Sequence, residues 1–334
     1  MERLFEPLRD EHPLPPSRVD IDRAVRVGRR RVRARWGGAG AFVVVVAFLV
    51  PVLGLPGGAR SPVEPGLGGY VGDFDPMRRV VAVADVPGVT PESYTTARRW
   101  QQIGLKVGES GFGSVTVYAR GRQATGSRGF MRPETGTPAE PIGGRPAFWV
   151  SRGADDLLAW EWTGGAWAFV THQDPANGGE ADRDTMRRIA SAVRVGGDDS
   201  VGEPVTLPFT LPLPEPYQMV GTTTRLRPPG DPFVRTGVLL ATGDPTDPDI
   251  ARSGLSVAVE NGDKMARQNG ANQTVDGRPA MVHEGEAIIF AVADGFAVDV
   301  QGTDDTAALL RVARTVRLVP APSDKSTWTS RPLT

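Results

Sequence analysis

The chain has 334 residues and an almost cancelled charge, with 38 basic against 39 acidic side chains. It has no cysteine and three histidines, which excludes disulfide scaffolds, thiolate metal sites and cysteine nucleophiles and makes a poor basis for an all-histidine metal site. Glycine (41) and proline (30) are abundant without the strict period of a collagen, so the composition points to a folded, turn-rich protein.

The charge is unevenly spread. Residues 1–36 form a proline-containing leader with ten arginines against six acids, and its end is the tract DRAVRVGRRRVRAR. The charge-free run WGGAGAFVVVVAFLVPVLGLPGGA follows at once. The stretch 37–57 is close to the roughly 20 apolar residues that an α-helix needs to cross a bilayer. Arg29, Arg30, Arg31, Arg33 and Arg35 lie directly before it, and by the positive-inside rule they place the amino terminus in the cytoplasm. The expectation is a single-pass protein of the cell membrane, with the phospholipid bilayer as partner, a cytoplasmic partner available to the leader, and the rest of the chain outside. Arginines beside a membrane are accounted for by anionic headgroups, so no nucleic acid is expected. Residues 58–78, dense in glycine and proline, read as a linker.

Beyond the linker the chain repeats itself. GGRPAFWV at 143–150 matches DGRPAMVH at 276–283, SVTVYARG at 114–121 matches LSVAVENG at 255–262, and DLLAWEWTGGAWAFV at 156–170 matches EAIIFAVADGFAVDV at 286–300. These read as strands, and the last pair as hairpins around a glycine turn. PESYTT from Pro91 also matches PEPYQM from Pro214. TMRRIASAVRV at 185–195 and AALLRVARTVRL at 308–318 place Met186, Ile189, Ala190 and Val193, and Leu309, Val312, Ala313 and Val316, at helical spacing. The predicted fold class is α+β: one amino-terminal transmembrane helix, then two related antiparallel-sheet domains at 79–198 and 199–320, each closed by a carboxy-terminal helix, and a polar tail at 321–334. Between the helix of the first unit and the strands of the second, Val205, Leu207, Phe209 and Leu211 alternate with prolines, which suits an extended packing segment rather than a central strand.

The order Gly-Arg-Pro-Ala, extended segment, LAWEW, glycine turn, WAFV and TMRRIASAVRV resembles a small uncharacterised extracytoplasmic domain of Gram-positive membrane proteins. The likeness covers about 143–195, with a degenerate copy at 276–318. The wider order of strands and helices resembles the curved-sheet domains of lipoprotein carriers and of an envelope-stress regulator. The leader and span are similar to those of actinobacterial membrane proteins, some encoded with signalling systems. The resemblance implies topology and repetition rather than a chemistry.

Motifs for catalysis are missing. His12, His172 and His283 have no partner at ligand spacing, and no zinc-protease, nucleophile-elbow or phosphate-loop pattern occurs. GESGFGSVTV at 108–117 lacks the phosphate-loop lysine and reads as a hairpin turn. Asp244, Asp247 and Asp249 read as turn residues, with calcium as the alternative. No catalytic residue, cofactor or metal is expected. Trp160, Trp162 and Trp167, with Phe290 and Phe296 in the second copy, either fill the cores or face a ligand or partner. The expected role is a membrane-anchored extracytoplasmic sensing or interaction protein with an envelope protein as partner. The alternatives are a carrier of an apolar lipid, peptide or glycan and, third, a cell-envelope hydrolase.

Overall fold

Period-two alternation in both halves of the chain produces strands, and a single fourteen-stranded antiparallel sheet contains them. The computed structural model describes residues 72–122, 125–126, 129–130, 132–152, 155–174, 182–196, 202–226, 235–243, 254–261, 270–293, 295–302 and 305–334. Contacts assign Pro62–Thr334 to one unit.

The first half contributes β1 (Val89–Ala97), β2 (Trp100–Val107), β3 (Gly111–Tyr118), β4 (Thr137–Ile142), β5 (Arg145–Arg152), β6 (Asp155–Thr163), β7 (Ala166–Gln173) and helix α1 (Arg183–Ala192). The second contributes β8 (Gln218–Arg225), β9 (Arg235–Ala241), β10 (Leu255–Asn261), β11 (Gln273–Val275), β12 (Arg278–His283), β13 (Glu286–Ala293), β14 (Phe296–Gly302) and helix α2 (Thr306–Thr315). The order across the sheet is β11-β12-β13-β14-β10-β9-β8-β1-β2-β3-β7-β6-β5-β4. Read outward from its middle in either direction, the connectivity is the same.

A local pseudo-twofold relates the halves. β8 pairs antiparallel with β1, and Thr223 lies opposite Thr95. Both inner strands carry a bulge, between Pro91 and Ser93 in β1 and between Met219 and Gly221 in β8. Superposing the bulges puts Thr95 on Thr223, so equivalent residues meet at the axis. Gly221 sits in this seam, where a Cβ would come within 2.2 Å of the Thr96 carbonyl oxygen. The same superposition puts Pro91 on Met219, so the PESYTT–PEPYQM match is not the structural one. Likewise the pairs Val115–Val170 and Val257–Val300 align Ser114 with Ser256, one place from the sequence match. The Gly-Arg-Pro-Ala match does coincide with the structure. Gly143-Gly144 and Asp276-Gly277 both form two-residue turns with φ positive at each residue, the geometry that twisted hairpins favour.

Each helix lies on the same face of its half and begins at an aspartate. The carboxylates of Asp182 and Asp305 accept from the backbone N–H groups of Asp184 and Ala308, caps worth about 1 kcal/mol each. Met186, Ile189 and Ala190 of α1 join Val115, Val117, Leu158, Ala168 and Val170 in one buried cluster. Leu309 and Ala313 of α2 join Val257, Val259, Ala287, Val298 and Val300 in its counterpart. The helices end earlier than their apolar spacing predicts. Val193–Val195 is a strand paired with Val81–Val83, and Arg317–Leu318 pairs with Phe209–Thr210. β-Branched valines and a partner strand take over the last predicted turn. Arg194 and Arg317 then donate to carbonyls at the helix ends, Ser191 and Arg314 respectively.

The carboxy-terminal segment is part of this packing. Leu207 and Thr329 exchange two backbone hydrogen bonds, the Leu211 N–H donates to the Pro332 carbonyl and the Thr334 N–H to the Leu211 carbonyl. Trp328 and Leu333 pack against the second core, where Leu207, Phe209 and Leu211 are fully buried. Ending the chain at Trp328 is expected to cost about 2 kcal/mol in urea unfolding, from four bonds of modest net value and the Leu333 contact.

Two expectations are corrected here. The two separate antiparallel-sheet domains are two halves of one sheet, because the edge strands β1 and β8, each left open within its half, pair with one another. The membrane helix is not found: among the described residues no helix is long and apolar enough to cross a membrane. The stretch 37–57 and Arg29, Arg30, Arg31, Arg33 and Arg35 lie outside the described residues. The single-pass cell-membrane placement and the bilayer as partner are accordingly withdrawn. The leader, for which a cytoplasmic partner was expected, and Asp244, Asp247 and Asp249 also lie outside the described residues.

Candidate functional site

The five aromatic residues singled out in the sequence are all buried, in four separate clusters. Trp160 and Trp162 face α1 in the first core, where Trp162 stacks on Phe74 at 6.4 Å and donates its indole N–H to the Tyr118 carbonyl at 2.9 Å. Phe296 is in the second core. Trp167 and Phe290 point to the opposite face, Trp167 beside Phe148 at 6.0 Å and Phe290 with Met281, Ile288 and Ala297. None contributes to an exposed patch. His172 is buried and its Nδ1 accepts from the Asp182 N–H at 3.3 Å, while His283 is exposed.

A groove of about 880 Å³ runs beside α1, lined by Asp85, Val86, Asp184, Arg187, Arg188 and Arg194 among others. Its guanidinium groups already have partners. Arg187 pairs with Glu140, Arg188 donates to the Thr185 hydroxyl and Arg194 to the Ser191 and Val193 carbonyls.

The strongest departure from symmetry lies on the face away from the helices. In the first half this face holds Trp100, Tyr118 and Phe169, with Ala159 and Trp167, and Tyr118 meets Phe169 edge to face at 5.6 Å. Trp100 lies opposite Tyr118 across β2 and β3, as Arg235 lies opposite Glu260 across β9 and β10. Phe169 lies opposite Thr116 across β7 and β3, as Asp299 lies opposite Ala258 across β14 and β10. The pseudo-twofold therefore exchanges a buried aromatic trio, Trp100, Tyr118 and Phe169, for a charged one, Arg235, Glu260 and Asp299.

The two carboxylates are as deep as the aromatic side chains they replace, while Arg235 reaches partly to solvent. Asp299 is 1% exposed and Glu260 5%. Arg235 directs both Nε and Nη2 at one oxygen, Asp299 Oδ2, at 3.0 and 2.8 Å, and its Nη2 also reaches the Ser256 hydroxyl at 3.3 Å. Gln301 Nε2 donates to the same Oδ2 at 3.1 Å and to Glu286 Oε1 at 2.8 Å. Convergence on Oδ2 leaves Asp299 Oδ1 buried with no hydrogen-bond partner, and Glu260 Oε1 is in the same condition. Burial, then the neighbouring Asp299 charge, pushes the Glu260 carboxyl from 4.5 up to about 7 against the opposing pull of Arg235. Burial also raises Asp299, again against Arg235.

Such an arrangement can hold and release protons. Among the described residues no cluster of histidine, aspartate and glutamate could hold a metal ion. Sequence reasoning missed this trio because Glu260 and Asp299 alternate with valines and so read as solvent-facing strand residues. The available signal was that positions filled by Trp100 and Phe169 in one half carry opposite charges in the other.

No family model and no curated protein matches the chain. The resemblance to the small extracytoplasmic domain, to carrier and stress-regulator domains and to actinobacterial membrane proteins is therefore withdrawn. The membrane-anchored sensing or interaction role falls with it, because of its two supports, membrane topology and internal duplication, only the duplication remains. The carrier alternative falls as well, since the likeness to carriers is gone and the aromatic residues that were to line its groove are buried.

Proposed function

We propose that the protein is a non-catalytic module that responds to protons through the charged trio of its second half. The carrying observation is that two carboxylate oxygens, Asp299 Oδ1 and Glu260 Oε1, are buried without partners beside one guanidinium. The groups facing them are Arg225 from β8, Arg235 from β9 and Glu286 from β13, with His283 of β12 opposite Glu286. Two arginines, one of them the exposed Arg225, stand against three carboxylates and leave one excess negative charge, which a proton relieves. At the equivalent place the first half has only aromatic side chains, so the response belongs to one half.

Because the folded-state value of Glu260 lies above its ordinary value, the folded chain keeps a proton that the unfolded chain gives up between pH 4.5 and about 7. This group's contribution to stability is complete below pH 4.5, falls by about 3 kcal/mol as pH rises to 7 and is level above that. Glu260→Gln keeps the shape and removes the charge. The variant is expected to be about 2 kcal/mol more stable than the parent in urea at pH 8 and to differ little from it at pH 5. Parallel stability profiles for the two proteins across that range would refute the reading.

A further inference from the structure

The pseudo-twofold also marks a place where the first half lacks something that the second half has. Val81–Val83 corresponds to the segment from Phe209 to Leu211: each pairs with the strand that follows its helix, Ala82 opposite Arg194 and Thr210 opposite Arg317. The flanking bonds match as well, from the Gly196 N–H to the Val80 carbonyl and from the Val319 N–H to the Pro208 carbonyl. In this register Val83 and Leu211 turn their own N–H and C=O groups to the opposite edge. On that edge of the second half lies the carboxy-terminal segment, which gives Leu211 both of its partners. On that edge of the first half the chain pairs as far as Arg79, opposite Glu203, and among the described residues Val83 has no backbone partner.

Burial follows the same difference. Leu211 and Val316 are 1% and 4% exposed, whereas their equivalents Val83 and Val193, opposite one another across the paired strands, are only half-buried. Ala84 and Asp85 are exposed, and both line the groove beside α1, so the strand ends against open space. An unpaired backbone edge and an incompletely covered apolar pair therefore coincide at Val83.

We infer that this edge is a docking site for an extended segment of a partner protein, added parallel to Val81–Val83 as a further strand, with a leucine-sized side chain over Val83 and Val193. The second half supplies the pattern: Leu211 and Leu333 pair in parallel, and Leu333 packs on the second core. In such an addition the main-chain bonds give the hold and the side-chain contact gives the selectivity. The occupant is a partner rather than a second copy because this chain's own segment of that pattern is already held in its second half by four backbone bonds.

The test adds a labelled peptide of residues 328–334, WTSRPLT, to the full chain, and reads fluorescence anisotropy together with hydrogen exchange over residues 80–86. Saturable binding with slowed exchange at Val83 is expected, and the same peptide carrying Leu333→Asp is expected not to bind. Val83→Pro removes the open N–H without breaking a bond of the folded chain, and is expected to weaken binding about tenfold. Val83→Lys keeps the backbone but sets a charge on the apolar pair, so it weakens binding too and serves where the proline variant does not fold. Absence of saturable binding, or binding and exchange unchanged by the Val83 substitutions, overturns the site. Self-association without peptide that Val83→Lys abolishes would make a second copy the occupant and overturn the partner assignment.

Discussion

Replacing Arg235 by methionine is expected to lower stability at pH 8 by about 3–5 kcal/mol, the usual consequence of removing one partner from a buried ion pair. Methionine has a similar length and packs readily, so little of the loss comes from volume. The loss arises because Asp299, at 1% exposure, loses the guanidinium bonded to it and Glu260, at 5%, keeps only the exposed Arg225 in its neighbourhood. Acidification supplies the missing positive charge. The deficit is therefore expected to shrink towards pH 5, in contrast to a packing defect, which would persist. Adding Glu260→Gln and Asp299→Asn to the methionine variant is expected to recover most of the stability at pH 8, because the expensive charges are then gone together. Urea unfolding of the single and triple variants at both pH values measures this, and a deficit independent of pH would place the cost in packing. The first half makes the same point by its composition: at the matching positions Trp100, Tyr118 and Phe169 form an uncharged aromatic core, whose one buried unpartnered group is the neutral Trp100 indole N–H.

Part of this architecture was legible in the sequence because it depends on local pattern. The Gly-Arg-Pro-Ala turns, the hairpins and the two helices show through period and turn chemistry, down to Gly144 and Gly277, both at positive φ. The joining of the halves was not legible. It depends on β1 and β8, threonine-rich strands whose side chains do not state whether they form an edge or a seam. The charged trio was hidden for a related reason. Alternation assigns Val257, Val259, Val298 and Val300 to the core and sends Glu260 and Asp299 outward, and nothing local reveals that the outward face is also buried. Burial on both faces is a property of the whole sheet. The apolar run 37–57, the most conspicuous pattern in the chain, lies outside the described residues.

Trp160→Ala is expected to cost about 3–5 kcal/mol, and this loss separates a core indole from one that waits for a ligand. On either side of Trp160 the cross-strand partner is an alanine, Ala168 in β7 and Ala147 in β5. Those two small residues make the room that the indole occupies beneath α1, among Leu158, Met186 and Ile189. Once the indole is removed, neither alanine can extend to fill the space, and the helix is held by its capped start and by the Val193–Val195 pairing. A cavity should persist, and cost grows with the volume left behind. At the equivalent place in the second half Ile289 lies between Ala280 and Val298, so a smaller side chain meets a larger neighbour and total volume is kept. Trp160→Phe is accordingly expected to lose less than the alanine variant, since an aromatic ring still fills most of the site. Urea unfolding with an unchanged dependence on denaturant would assign the loss to packing. A cost below about 1 kcal/mol for Trp160→Ala would mean that α1 does not rely on this indole, and the core reading of the first half would fail.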